Sequence, residues 1–181
     1  MKKYFCLLVL LMAATQICFC QLYITRAGYA SFFSNAPLED IKAENKQLFA
    51  VIDLAKKELA FTLLIKGFEF KKDLMQTHFN ENYIESDKYP KANFSGNFTG
   101  DVSVASSIPT TVQVSGNITL HGVTKSISVP ATLQFINGQL VGYALFKLHP
   151  ADFNISIPAL VKDKIAKEVE VEIKVECDPK K

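Results

Sequence analysis

Residues 126–135 have the sequence SISVPATLQF, in which apolar side chains alternate with small or polar ones. A period of two is typical of a β-strand with one buried face. The dipeptide Asn137-Gly138 comes shortly afterwards, and this pair favours the positive φ angles of a type I′ turn. The sequence therefore predicts an antiparallel hairpin between 126–136 and 139–148.

The same alternation recurs along most of the chain and predicts an all-β protein. Pro130 lacks a backbone donor, so we expect it at a bulge or at an edge of the strand pairing. The apolar positions change phase after Gly67, which predicts a glycine bulge. Eight antiparallel strands are predicted, at 28–33, 46–53, 59–65, 92–102, 110–120, 126–136, 139–148 and 169–177.

Two stretches interrupt the strand pattern. In residues 71–83, Met75, Phe79 and Tyr83 are spaced four apart, which predicts one short helix between strands. The connection 158–167 has room for one helical turn. No repeat or change of composition marks a second domain.

Eight strands that each have one apolar face must bury those faces together, either in a closed barrel or in a two-sheet sandwich. Alternation alone leaves both open, although closure favours the barrel because it removes exposed edges. The interior of an eight-stranded barrel is just wide enough to be filled by its own side chains or to hold one small ligand. Whether the interior is filled or open therefore decides whether the protein can carry a ligand.

The residues expected to face the interior support both alternatives. Gly116, Ala131, Gly142 and Ala144 are small and favour an unfilled lumen, whereas 12 of the 14 phenylalanines lie beyond residue 20 and could fill it. A ligand in such a lumen would be apolar and elongated, since a buried charge would find no partner. The predicted ligand-binding residues are Phe61, Leu63, Ile65, Met75, Phe79, Phe94, Val114, Ile118, Leu120, Ile127, Val129, Leu133, Ala144 and Phe146.

The first 20 residues have the pattern of a secretory signal peptide. Lys2 and Lys3 precede an apolar run of about 11 residues, which is shorter than the roughly 20 that a membrane-spanning helix needs. Cleavage after Cys20 would leave 21–181 as a single domain, periplasmic or secreted. The alternative is a lipid attached to Cys18 or Cys20.

The charge of the remaining chain excludes some partners. Residues 21–181 contain 18 basic and 18 acidic side chains and no long basic run, so we expect no nucleic acid binding. No second apolar run is long enough for a membrane helix, so we expect no membrane span. Cys177 is then the single cysteine of the mature chain, which leaves no intramolecular disulfide.

Two motifs resemble a known family. Residues 117–127, NITLHGVTKSI, are similar to the G-x-L-T-L-H-G-V-T-K signature of the YceI-like family, and 78–94 resemble that family's segment with Tyr-Pro before an apolar strand. The resemblance spans roughly 24–177. It implies an exported, extended, lipocalin-like barrel with a helix near one end, enclosing an isoprenoid-quinone-like or fatty-acyl ligand. Residues 68–75 depart from the family in lacking an Arg-Asp pair that many members carry.

Signatures of catalysis and metal binding are weak. His78, His121 and His149 lack metal-ligand spacing, so no metal site is predicted, and no Gly-x-Ser-x-Gly elbow occurs. We expect His121 to be a turn residue whose ring bonds a backbone group, beside Gly122 in a conformation that other residues avoid.

Four carboxylates cluster around the predicted helix and the loop that follows it. We expect these side chains to be solvated rather than to act as acid and base. They are Asp73, Glu81, Glu85 and Asp87.

The sequence therefore predicts an exported, non-enzymatic binding protein that carries an apolar, lipid-like ligand in the barrel lumen. No cofactor is expected other than a bound isoprenoid or fatty-acyl lipid. The alternative is an exported interaction module of the same fold with a filled core. The sequence leaves a homodimer open.

Overall fold

A computed structural model describes residues 22–35, 40–104, 106–156 and 168–180. The predicted signal peptide, 1–20, and the connection 158–167 lie outside the described residues.

The described ranges contain nine strands and one α-helix, α1 (Asp73–His78), which continues into a π-helical turn, Phe79–Tyr83. Two 3₁₀ turns, Ile65–Gly67 and Pro150–Phe153, occur in the connections. The strands are β1 (Leu22–Ser34), β2 (Ile41–Asp53), β3 (Glu58–Leu64), β4 (Glu69–Phe70), β5 (Lys91–Thr99), β6 (Thr110–Leu120), β7 (Val123–Ile136), β8 (Gln139–Leu148) and β9 (Val169–Pro179).

Eight of these strands form a closed antiparallel barrel. Their order is β1-β9-β8-β7-β6-β5-β3-β2, and pairing of β2 with β1 completes the ring. The two-residue strand β4 pairs with β2 beyond the end of β3. The predicted barrel is confirmed, and the sandwich alternative is wrong.

The first two strands begin earlier than alternation predicts. β1 starts at Leu22 and pairs with β2 through register shifts between Thr25 and Gly28 and between Gly28 and Ala30. A register shift changes which side chains face the interior. Alternation in the sequence therefore does not identify the interior-facing residues in this part of β1.

Two-residue turns reverse the chain on both sides of β7. Ile136 pairs with Gln139 around Asn137 and Gly138, whose φ angles are 51° and 84°, as the predicted type I′ turn requires. The turn between β6 and β7 has the same form, with His121 at φ 51° and Gly122 at 74°.

Pro130 lies at the edge of a ladder, as predicted. It pairs with Gln113 of β6, whereas pairing between β7 and β8 extends only as far as Ala131 and Ala144. The missing donor therefore lies just outside the β7–β8 ladder.

The predicted glycine bulge at Gly67 is wrong. β3 ends at Leu64, and Ile65–Gly67 form a 3₁₀ turn instead. The fully buried Asn45 explains the turn, because its Nδ2 donates to the Leu64 carbonyl at 2.9 Å. A Cβ on Gly67 would lie 2.8 Å from that same nitrogen, which favours glycine here.

One end of the barrel, which we call the turn end because it carries Asn137 and Gly138, is closed by packing. Tyr23 and Phe135 meet edge to face with ring centroids 5.5 Å apart, and Leu140 and Cys177 beside them are fully buried. Burial raises the pKa of the Cys177 thiol to about 12, so this cysteine is a small core residue rather than a reactive thiol.

Two glycines allow the paired strands β5 and β6 to approach each other closely. Gly96 and Gly116 lie directly opposite each other. A Cβ added to Gly116 would lie 2.3 Å from the Ser95 carbonyl oxygen and 2.6 Å from the Gly96 Cα. Neither backbone atom can move without displacing its strand.

We predict that Gly116→Ala lowers the free energy of unfolding by about 2 kcal/mol, because the added methyl group forces the two strands apart. Urea denaturation measures this loss. The matched control is Gly138→Asn, where no atom lies within 4 Å of an added Cβ and asparagine tolerates the positive φ. Equal midpoints for the two variants would contradict the close approach.

Candidate functional site

The barrel encloses a cavity of about 550 Å³, within the range typical of sites for small molecules. All eight barrel strands and the α1 region contribute to its wall. The cavity begins above the packed turn end and extends toward the end that carries α1, which we call the helix end.

The side chains that face the cavity do not fill it. Ile127 and Val129 of β7, Phe146 of β8 and Val171 of β9 are all only half-buried, although they line the inside of a closed barrel. Ala144 and Gly142, opposite β7, are too short to reach across. The exposed apolar surface of these residues therefore borders the cavity.

An aromatic cluster closes much of the helix end. Phe79, just beyond α1, stacks on Phe32 of β1 at a centroid distance of 5.4 Å and lies 5.0 Å from Phe70 of β4. Phe68 contacts both Phe32, at a centroid distance of 5.2 Å, and Phe79, at 5.9 Å. These four phenylalanines form what we call the aromatic cap.

The helix presents one apolar side to the cavity, as its spacing predicts. Met75, Phe79 and Tyr83 line the wall, whereas Leu74 points away and is 66% exposed. Because α1 is so short, its position depends on these contacts rather than on helix propensity.

All fourteen residues predicted from alternation and helix spacing lie along the cavity wall. Leu63, Ile65, Val114 and Leu133 among them are also part of the packed core, and the other ten are half-buried. The structure thus brings the predicted set together in one place.

Sequence reasoning missed several wall residues. Val171 and Ile173 of β9 follow the same alternation and could have been included. Ala30 and Phe32 of β1 and Leu48 of β2 also line the cavity, but the register shifts in β1 conceal them.

His121 lies in the turn between β6 and β7 and contacts two other connections at the helix end. Its Nδ1 lies 2.9 Å from the carbonyl oxygen of Phe153, and because a carbonyl only accepts, this nitrogen carries the hydrogen. Its Nε2 lies 2.9 Å from Oε2 of Glu85, and the Tyr89 ring meets the imidazole edge to face at 4.4 Å. The prediction of a turn histidine bonded to the backbone is confirmed.

Position 122, beside this histidine, requires glycine. A Cβ there would lie 2.6 Å from the ring of Tyr89, in addition to the strain of φ 74°. The same contact that packs Tyr89 against His121 therefore excludes a side chain at the next position.

Glu85 is more than the solvated charge that was expected, although its side chain remains 44% exposed. This half-buried side chain is the partner of His121, 36 residues away in sequence. Asp87 is exposed but lies 2.6 Å from Lys66 Nζ. Sequence spacing carries no signal of either pairing, because both partners come from other elements.

Phe153 lines the cavity where strand pairing stops. The ladder between β7 and β8 ends at Ala131 and Ala144, and the Pro150–Phe153 turn contacts β7 beyond that point. Phe153 is 1% exposed, and the hydrogen bond from His121 holds its carbonyl group.

The chemistry of the wall is apolar. The described lining residues include no Lys, Arg, Asp or Glu. Across the described ranges, no three His, Cys, Asp or Glu side chains lie close enough to hold a metal ion. None of the helices in these ranges is long and apolar enough to cross a bilayer.

A model of the YceI-like domain matches residues 33–177. The chain belongs to the YceI-like family. The match includes every barrel strand except the larger part of β1 and the last residues of β9. No relative of this YceI-like chain was found among the curated proteins.

Solved structures share the fold of this YceI-like domain. A polyisoprenoid-binding domain from Saccharophagus degradans, described as implicated in plant cell wall breakdown, has a TM-score of 0.75 and 16% identity, covering 89% of this chain and 99% of the other. BcnA from Burkholderia cenocepacia gives 0.69 and 16%, with 83% and 97% covered. The YceI protein of Campylobacter jejuni gives 0.63 and 19%, with 80% and 88% covered.

We predict that His121→Ala lowers the melting temperature by about 5 °C, because the buried Phe153 carbonyl loses its donor and costs about 1–3 kcal/mol. Thermal unfolding followed by circular dichroism measures the shift. His149→Ala is the control, since His149 is half-exposed and lies 3.7 Å from Glu168, so its loss should cost under about 0.5 kcal/mol. Similar shifts for both variants would contradict a structural role specific to His121.

Proposed function

We propose that this YceI-like domain is an exported, non-enzymatic binding protein that holds an apolar, lipid-like molecule inside its barrel. The ligand has an isoprenoid-quinone-like or fatty-acyl chain, and the fourteen wall residues named above contact it. One observation carries the proposal: apolar side chains inside a closed barrel leave about 550 Å³ unfilled.

The energetics favour an elongated apolar guest. Each Å² of apolar surface that leaves water contributes roughly 25 cal/mol. Half-buried residues such as Ile118, Ile127 and Phe146 would gain this burial together with the guest. A charged group among them would lose its hydration without gaining a partner.

The comparisons support the same class of ligand. One structure of the same fold is described as a polyisoprenoid-binding domain. Export is supported by the basic and apolar pattern of residues 1–20. The alternative of an interaction module requires a filled core, which the cavity does not favour.

We predict that protein purified from its native compartment contains about one apolar molecule per chain. Native mass spectrometry before and after delipidation measures the bound mass, and organic extraction yields the compound. The intact mass of the same sample tests export, because cleavage after Cys20 leaves residues 21–181. Folded protein that contains no such compound, and takes none up after delipidation, would contradict the proposal.

We predict that Ile127→Trp reduces binding of the neutral fluorescent probe N-phenyl-1-naphthylamine at least ten-fold, because the indole ring occupies the cavity. The fold should stay near intact, since Ile127 borders empty space rather than packed core. Fluorescence titration and circular dichroism measure the two effects.

Ser126→Trp is the matched control. Ser126 lies on the same strand but is exposed, with its hydroxyl donating to Asn117 on the outside of the barrel. Equal loss of probe binding in both variants would place the probe outside the lumen.

A further inference from the structure

One outer side of the barrel is polar but carries almost no charge. On β3, β5, β6 and β7, hydroxyl and amide side chains alternate with the apolar ones that face the cavity, and nearly all of them are exposed. We call twelve of these residues the neutral face. They are Thr62, Asn93, Ser95, Asn97, Thr99, Gln113, Ser115, Asn117, Thr119, Thr124, Ser126 and Ser128.

Strand pairing arranges the neutral face in rows that cross the sheet. Neighbouring strands lie about 4.8 Å apart, so each row presents one hydroxyl or amide group at that interval. Cross-strand hydrogen bonds hold several of these groups in place, such as Ser126 to Asn117 at 2.8 Å. The rows are Thr62-Asn93-Thr119-Thr124, Ser95-Asn117-Ser126, Asn97-Ser115-Ser128 and Thr99-Gln113.

Exposure to water does not by itself explain this composition. On the opposite side of the ring, β9 alternates in the same way but presents charged side chains, and Lys174 pairs there with Glu172 at 2.7 Å. On the neutral side, charged residues lie at the margins, such as Lys91 beyond Asn93 on β5 and Glu58 opposite Asn97. The same barrel therefore uses ionic groups on one outer side and uncharged polar groups on the other.

An aromatic ring extends one row of the neutral face. Phe49 of β2 is half-buried and pairs with Thr62, and a shallow groove beside it is lined by Asn93 and Asn117 among others. The guanidinium group of Arg26 lies 6.0 Å from the centroid of the Phe49 ring and supplies further donors at that margin. The groove thus combines one apolar ring surface with several hydroxyl and amide groups.

The composition of the neutral face is unsuited to most macromolecules. A nucleic acid requires several cations along the site, and a membrane surface requires apolar side chains with a basic rim. Protein interfaces are depleted in serine and concentrate aromatic residues and arginine at their centre, whereas Ser95 and Asn117 lie at the centre here.

The chemistry that matches is that of an uncharged sugar. Hydroxyl and amide groups both donate and accept hydrogen bonds, as sugar hydroxyls do. The C–H side of a sugar ring packs on an aromatic ring, which Phe49 supplies. An anionic sugar would find Arg26 at one margin but no cation within the rows.

We propose that the neutral face is a binding site for an uncharged carbohydrate chain, with one sugar ring on Phe49 and hydroxyl groups bonded to Asn93 and Asn117. The site lies on the outside of the barrel. It goes beyond the proposed function, because it can be occupied whether or not the lumen is.

Native gel electrophoresis in the presence of soluble polysaccharides tests the proposal on the full chain. The neutral probes are hydroxyethylcellulose, arabinoxylan, galactomannan and dextran, and polygalacturonate is the anionic comparison. At least one neutral polysaccharide should retard the protein, and polygalacturonate should not. Retardation by none of the four, or equal retardation by polygalacturonate, would overturn the proposal.

Surface variants locate the site. Phe49→Ala and Asn117→Ala should each weaken binding of the retarding polysaccharide about five-fold, as expected for the loss of one aromatic contact or one hydrogen bond. Tyr143→Ala is the matched control, since Tyr143 is an exposed ring on the outside of β8, away from the neutral face. Circular dichroism checks the fold of each variant, and because Asn117 is exposed, its variant remains informative if Phe49→Ala is unstable. Equal binding by Asn117→Ala and wild type, or equal loss in Tyr143→Ala, would contradict this site.

Two further measurements separate the remaining explanations. Ile127→Trp, which fills the lumen, should bind the polysaccharide as the wild type does, and a loss there would place the sugar inside the barrel and overturn the proposal. Analytical ultracentrifugation tests for a protein partner. Self-association that Asn117→Ala abolishes, without retardation by any polysaccharide, would make the neutral face a protein interface instead. None of these outcomes affects the apolar ligand of the lumen, which the delipidation experiment tests separately.

Discussion

Closure of the hydrogen-bonded ring is the constraint on which the rest of this structure depends. Pairing of β1 with β2, and of β3 with β5, joins the ladder end to end, although the part of β7 before Ala131 has no partner on β8. The backbone of the wall is then held by its own hydrogen bonds, whatever occupies the interior. A protein held in this way tolerates an unfilled centre that a two-layer core, stabilised mainly by packing, would have to collapse around.

Packing varies along the barrel axis. At the turn end, Tyr23 and Phe135 fill the cross-section, and at the helix end the aromatic cap does so through Phe79 and Phe32. Between them, small residues such as Ala144 and half-buried ones such as Ile127 leave the cavity. The packed ends and the ladder therefore surround a middle section that the side chains leave unfilled.

Two buried polar side chains hold irregular parts of the chain in place. His121 and Asn45 use both ends of their side chains, and each secures an irregular part of the chain: the Pro150–Phe153 turn for His121, and the end of β3 for Asn45. In the described part of the chain, the Ser34 hydroxyl and the Asn80 amide oxygen are buried without a hydrogen-bond partner.

The sequence by itself determined the strands from β5 to β9, the Asn137-Gly138 turn, the short helix and the identity of fourteen wall residues, because alternation and helix spacing are local properties of the chain. Register shifts concealed the wall residues of β1, such as Ala30. Only the tertiary structure decided that the sheet closes, that Glu85 meets His121 across 36 residues, and that side chains leave part of the lumen unfilled. Each of these depends on distances between elements far apart in sequence, and no local pattern encodes such distances.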